Sequence, residues 1–246
     1  MKIKLFCQEC FQSFVTNSTS IDEAAFREAN FFQTAQDITD NNIIEFCCNA
    51  GHKNYCFIQN PKYELLYDMG YSAYKDGYYR EACLDFAASI ERFHEFCLYV
   101  MLLQNEHETI SNLEKMWAQI SKQSERQYGA FIVLYTKVMG GPPRGQVNKY
   151  LEFRNNVTHK GTIPSKEETF DYAKYVSDYI GEIYRSLEAK NNMMNAVFAT
   201  LPALLEYKKP ISTQVIPTIL SSVCRGQCFE DAIESHEKMF ALMYGK

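Results

Sequence analysis

Beyond about residue 58, apolar residues recur along the chain at three- and four-residue steps, the period of helices that bury one face. Lys62 to Tyr74 predicts one helix, broken at Lys75, Asp76 and Gly77. Ala82, Phe86, Ile90, Phe93, Cys97 and Met101 mark a second, the clearest in the chain, and Ile110, Leu113, Met116, Trp117 and Ile120 a third. The strongly apolar run from Gly129 to Met139 reads as a buried helix, with a strand as the alternative, and is ended by Gly140, Gly141, Pro142 and Pro143. A further helix is expected from near Gln146 to Gly161, a residue suited to a left-handed C-terminal position, with Pro164 barring continuation. Ser165 and Glu168 form a capping box that opens another, with Phe170, Ala173, Val176, Ile180, Ile183 and Leu187 on one apolar face. Asn191 and Asn192 break that pattern, and shorter helices should follow, ending in an amphipathic one through Phe229, Ile233, Met239 and Phe240.

Before residue 58 the pattern is one of short turns that carry thiols. Ser20 and Glu23 read as a capping box, and Ile21, Ala24, Ala25, Phe31, Phe32 and Ala35 predict an inserted helical face. The expected fold class is therefore mainly α, a helical bundle preceded by a small zinc-ribbon-like domain. The expected divisions are residues 1–58, a helical bundle over 59–190 and a C-terminal helical extension over 191–246.

Composition narrows the function classes. With 46% hydrophobic and 22% charged residues, 11 Gly and 7 Pro in 246 residues, the chain has the make-up of a globular protein. A net charge of -5 argues against nucleic-acid coating through bulk charge, so any such contact must be local. No apolar run is long enough for a membrane span and the start lacks a signal peptide's apolar stretch, so a cytoplasmic protein with reduced thiols and no membrane partner is expected. Reduced thiols turn attention to metal binding. Cys7 and Cys10 form C-x-x-C, and Cys48 with His52 supplies a second pair, with Cys47 and Cys56 as competing ligands. Three thiolates and an imidazole suit tetrahedral zinc, and four protein ligands would leave it structural, with no open position for chemistry. Cys83 and Cys97 fall on an apolar helical stripe and read as core.

GGPPRG lacks the Lys and Ser/Thr of a phosphate loop and reads as a turn, and no G-x-S-x-G, H-E-x-x-H or G-x-G-x-x-G occurs. Chemistry is instead suggested by RNNVTHKG, residues 154–161. Arg154 offers a permanent planar charge for phosphate and His159 an imidazole able to give or take a proton, types that suit phosphodiester chemistry without a metal. Asn155 lies four residues before His159 on the same helix face. From Arg144 to Lys166 five basic residues stand against one acid, a local +4 in a chain whose remainder carries -9.

From Tyr63 to about Leu187 the chain resembles the HEPN family, the small helical-bundle domains of prokaryotic immunity and toxin systems. GYYREA (77–82) leading into AASIERF (87–93), and Arg154 with Asn155 beside it and His159 five residues on, carry the resemblance, the latter fitting the family's R-x4-6-H motif. The resemblance implies a metal-independent endoribonuclease acting on tRNA or other RNA at a homodimer cleft, as an antiphage, abortive-infection or toxin effector with a possible defence-system partner protein. By the same resemblance His159 would handle protons, Arg154 would stabilise the phosphorane, Asn155 would orient the phosphate or His159, and Glu91 would approach from the second helix. The other reading is a non-catalytic HEPN module that binds nucleotide or RNA, or scaffolds a defence complex. His94 reads as a packed core histidine. The position two after the motif histidine, a nucleotidylated tyrosine in some HEPN toxins, is Gly161 here, so pairing with a nucleotidyltransferase antitoxin has no support.

Overall fold

The structure is a computed structural model and describes residues 3–17, 32–35, 40–103, 109–190 and 211–244, which are mainly helical. The chain divides into two compact units, one made of residues 1–60, 202–217 and 233–246, the other of 61–201 and 218–232.

In the first unit β1 (Ile3–Phe6) runs into helix α1 (Gln8–Asn17) and pairs antiparallel with β2 (Phe32–Ala35), Ile3 opposite Ala35 and Phe6 opposite Phe32. Phe32 and Ala35, expected on an inserted helix, are thus strand residues: pairing with β1 supplies backbone partners that helical spacing alone does not anticipate. The capping box at Ser20 and the rest of that expected helix lie outside the described residues. A second sheet joins β3 (Ile43–Cys47) and β4 (Lys53–Ile58) as an antiparallel hairpin, and β5 (Ser212–Gln214) adds parallel to β4. Cys56, Phe57 and Ile58 are consecutively buried, as residues of a strand covered on both faces are. Gln214 ties the two sheets as a strand would: its Nε2 donates to the Phe6 carbonyl (3.0 Å) and its Oε1 accepts the Phe6 N–H (3.2 Å). Asn60 closes the same unit across 156 residues, donating to the Ile216 carbonyl (2.8 Å) and accepting the Ile216 N–H (2.7 Å).

The second unit is a helical bundle. Helices α2 (Lys62–Lys75) and α3 (Tyr79–Leu102) form a hairpin whose turn needs the left-handed backbone of Gly77 (φ +83°). They pack closely because Gly70 has no side chain; a Cβ there would lie 2.8 Å from the Phe86 ring. Next come α4 (Ile110–Ile120), capped by Thr109, then α5 (Ser124–Met139) and α6 (Asn148–Lys160). The run expected to be a buried helix is α5, yet only Gln127, Phe131 and Tyr135 of it are buried, and Val133 is 71% exposed. Helix α6 ends at Gly161 in the left-handed conformation (φ +70°). Helix α7 (Lys166–Glu188) opens with both hydrogen bonds of the expected Ser165 and Glu168 capping box. It is the bundle's spine, burying Tyr172, Val176, Tyr179, Ile180, Ile183 and Leu187.

The residues expected to form one C-terminal extension are shared instead. Residues 211–217 complete the sheet of the first unit, while α8 (Ile219–Cys224) and the start of α9 (Phe229–Tyr244) belong to the bundle. Two buried carboxylates on α2 hold the start of α8: Asp68 accepts the Ile219 N–H (3.1 Å) and Glu64 the Thr218 hydroxyl (2.9 Å). At the other end Arg185 donates to the Val223 carbonyl (2.8 Å), so each helix end meets the charge its dipole favours.

Candidate functional site

Two tight turns build a four-ligand cluster in the first unit. Cys7 ends β1 and Cys10 lies one turn on in α1, the turn closed by the Phe11 N–H on the Cys7 carbonyl (2.9 Å). Facing it, the loop between β3 and β4 folds back through Gly51 (φ +86°), and the His52 N–H donates to Cys48 Sγ (3.3 Å). The ligand atoms of Cys7, Cys10, Cys48 and His52 all lie within 4.8 Å of one another, so these four residues can hold a metal ion. The edges fit a tetrahedron. Bonds of ~2.3 Å to sulfur and ~2.05 Å to nitrogen require S···S edges of about 3.8 Å and S···N edges of about 3.6 Å. Cys10 Sγ and Cys48 Sγ are 3.8 Å apart, and His52 Nδ1 is 3.5 Å from Cys7 Sγ and 3.3 Å from Cys10 Sγ.

The competing thiols stand apart. Cys47 is exposed on the hairpin opposite Lys53, and Cys56 is buried with its thiol turned to the Phe57 carbonyl. Within the cluster the thiols differ. Burial and the neighbouring Cys7 and Cys48 push Cys10 up to about 12. Burial also raises Cys48, but the backbone N–H groups of His52 and Ala50 outweigh it and bring that thiol down to about 7, so Cys48 is the first to offer a thiolate. One neighbour was not visible in the spacing of the ligands: Glu9, inside the C-x-x-C, places Oε2 3.6 Å from His52 Nε2, the ring nitrogen turned away from the thiols.

The second unit holds a cavity of about 210 Å³ between α3, α5, α6 and α7. Glu91, Arg154 and Asn155 line it; His159 does not. Five residues carry the helix about 7.5 Å along its axis and about 140° around it, which takes His159 beyond the stretch of α6 that lines the cavity. Arg154 is half-buried beside Glu91, their nearest atoms 4.0 Å apart, whereas Asn155 and His159 are exposed one turn from each other. Among the described residues, then, one chain brings three of the four expected catalytic residues to one cavity and leaves the histidine exposed one turn beyond it.

His94 is buried, as expected of a core histidine, yet it also reaches the cavity wall. Its Nε2 lies 2.9 Å from the Tyr179 hydroxyl and its ring stacks on Phe131 with centroids 4.7 Å apart. Burial, with the charge of Arg92, pushes it down to about 3, so it is a neutral imidazole. The remaining wall is rich in phenols that the motif did not single out: Tyr128, Tyr150, Tyr172 and Tyr175. A sequence signal for part of this exists, because Tyr172, Tyr175 and Tyr179 recur at three- and four-residue steps along α7. Two of these phenols also position the motif helix. Tyr128 Oη accepts the Gln146 N–H (3.2 Å) and Tyr175 Oη the Val147 N–H (3.1 Å), which pins the entry to α6. Burial raises Tyr172, an effect that the nearby Arg154 charge opposes.

Of the basic island around this site, Arg144 pairs with Glu182 (2.8 Å) and Lys149 lies over the Tyr150 ring (5.3 Å). No helix among the described residues is long and apolar enough to cross a membrane. Comparison with protein-family models, with curated proteins and with solved structures found no match.

Proposed function

We propose that the chain is an endoribonuclease of the HEPN type, acting without a catalytic metal as a homodimer, and serving as an antiphage or toxin effector, with a structural zinc in its first unit. The observation that carries the reading is the division of the motif: Arg154, Asn155 and Glu91 meet at one cavity while His159, one turn beyond Asn155, is exposed and does not line it. A site completed by a second copy's histidine accounts for both placements. In it the ribose 2′-hydroxyl attacks phosphorus and loses its proton, the bond to the 5′-oxygen breaks, and that oxygen takes up a proton. The products are a 2′,3′-cyclic phosphate and a 5′-hydroxyl. His159 handles a proton, Arg154 stabilises charge on the phosphorane, Asn155 orients the phosphate or His159, and Glu91 approaches the site from α3. Zinc is favoured at the cluster by its sulfur-rich donors and tetrahedral edges.

The test is cleavage of tRNA and mRNA in EDTA by wild type, Arg154→Ala, His159→Ala and a 1:1 mixture of the two variants. Each variant alone should lose at least ~100-fold in rate. The mixture should recover about a quarter of wild-type activity, because half of the dimers are mixed and each mixed dimer rebuilds one of its two sites. Full activity in either single variant overturns the assignment, and no recovery on mixing removes the shared site. The same exposed position of His159 also favours a binding module as the second reading, which predicts RNA retention without cleavage by the folded wild type.

A further inference from the structure

The cavity beside Arg154 has a make-up that phosphate chemistry does not explain. Its charged groups are Glu91, Glu125 and Arg154, two carboxylates to one guanidinium, and the rest of its wall is neutral: His94, Gln146, Ser124 and four phenols among others. Such a wall repels a phosphate and welcomes a flat ring that carries N–H donors, because carboxylates only accept hydrogen bonds and phenols offer aromatic faces. At about 210 Å³ the space is smaller than the ~300 Å³ at which pockets for drug-sized ligands begin, so it suits one base and not a whole nucleotide. Glu91 is available to such a ring. Its nearest oxygen lies 4.0 Å from the guanidinium, beyond hydrogen-bond length, and its side chain is one-third exposed.

We infer that this cavity is a base-reading subsite selective for guanine, with Glu91 as the specificity-determining residue. Among the four RNA bases, guanine alone presents two adjacent ring-edge N–H donors, N1–H and the N2 amine, to a single carboxylate, an edge open in unstacked single-stranded RNA. The base lies among Tyr128, Tyr150 and Tyr172, while its phosphate stays at the mouth near Arg154 and the exposed Asn155. This deepens the ribonuclease reading and rests on it for the RNA, but its test is a binding measurement that needs no cleavage.

Full-length His159→Ala protein, with the cavity intact, is titrated with GMP, IMP, AMP, CMP, UMP and inorganic phosphate by calorimetry or NMR. GMP should bind at least ~10-fold tighter than AMP, CMP or UMP, since a carboxylate that meets two donors on one base edge discriminates by at least that factor. IMP, which lacks only the N2 amine, should fall between them. Glu91→Gln in the same background should erase the preference, bringing GMP to the level of AMP, with the far-UV circular dichroism unchanged. Equal binding of the four nucleotides, a preference that survives Glu91→Gln, or phosphate competing as well as GMP overturns the subsite. Absence of any guanine preference with Glu91 intact, in a protein whose wild type cleaves RNA, would sink the subsite alone, and guanine-selective binding without cleavage would sink the ribonuclease reading alone.

Discussion

The cysteine cluster and the arginine-histidine motif are both short-range patterns, yet the fold treats them oppositely. Four ligands spread over residues 7 to 52 arrive within 4.8 Å of one another, whereas Arg154 and His159, five residues apart on one helix, do not share a cavity. The difference lies in what spacing means in each kind of backbone. In the cluster each pair is set by a tight turn, and a turn of three or four residues leaves little choice about where two side chains point. On a helix a spacing of five places residues on different faces by construction, so the motif says nothing of closeness within one chain. A histidine kept outside becomes useful when another surface meets it.

The largest effect that could break this contrast is loss of the metal. Zinc binding to small structural sites is worth ~10 to 16 kcal/mol, and for such a site that energy is folding energy. A strong chelator, or Cys48→Ser, should therefore melt the amide signals of Cys48, Gly51 and His52, with the zinc found stoichiometric in wild type and lost in the variant. The helical unit has its own core in Phe86, Phe93, Phe131 and Tyr179, and its amide signals should stay. If chelation leaves the hairpin signals in place, the cluster is a group of ordinary thiols. If it also melts the helical signals, the bundle depends on the metal as much as the turns do.

Smaller, and spread over acid pH, is the effect of the neutral His94. Its native value near 3 lies below the ordinary 6.5, so between those pH values the unfolded chain binds a proton that the folded chain refuses. Stability is then unaffected above about 6.5 and falls as the pH drops, by about 1.4 kcal/mol per pH unit until native His94 itself titrates. Urea midpoints of the helical signal between pH 7 and 4 should show this limb, and His94→Phe should flatten it at the cost of leaving the Tyr179 hydroxyl without its partner. An unchanged slope in His94→Phe would mean that the acid limb belongs to other groups.

These two units were also legible to different degrees. The helices α2, α3, α6 and α7 follow from their apolar steps, and the capping box at Ser165 and the stop at Gly161 form as their residue types require. The four residues of the cluster that can hold a metal ion, Cys7, Cys10, Cys48 and His52, could be picked out by their types and pairing. What was not legible depends on distant partners. Phe32 to Ala35 became a strand because β1 lies beside it, and Ser212 to Gln214 became one because β4 offered an open edge some 150 residues away in sequence. The phenol-lined cavity draws on four helices, so no single stretch of sequence contains it.

Glu9 gives the finest probe of how far turn geometry alone specifies the cluster. His52 faces the thiols with Nδ1, which leaves Nε2 to carry the ring proton toward Glu9 Oε2 at 3.6 Å. A carboxylate in that position holds the ring in its ligating tautomer, and such partners buried around a metal are worth ~10 to 100-fold in affinity. Glu9 is 67% exposed and its contact with His52 is long, so Glu9→Gln should weaken zinc by less than that, about 2- to 10-fold in competition with a chelator. Gln keeps an acceptor and removes only the charge, and charge at an exposed position is screened, so the gap between the two proteins should close in ~1 M salt, where the screening length is about 3 Å. Equal affinities at low salt would show that the two turns orient His52 without help; a gap that persists at high salt would mean that Glu9 acts through its packing rather than its charge.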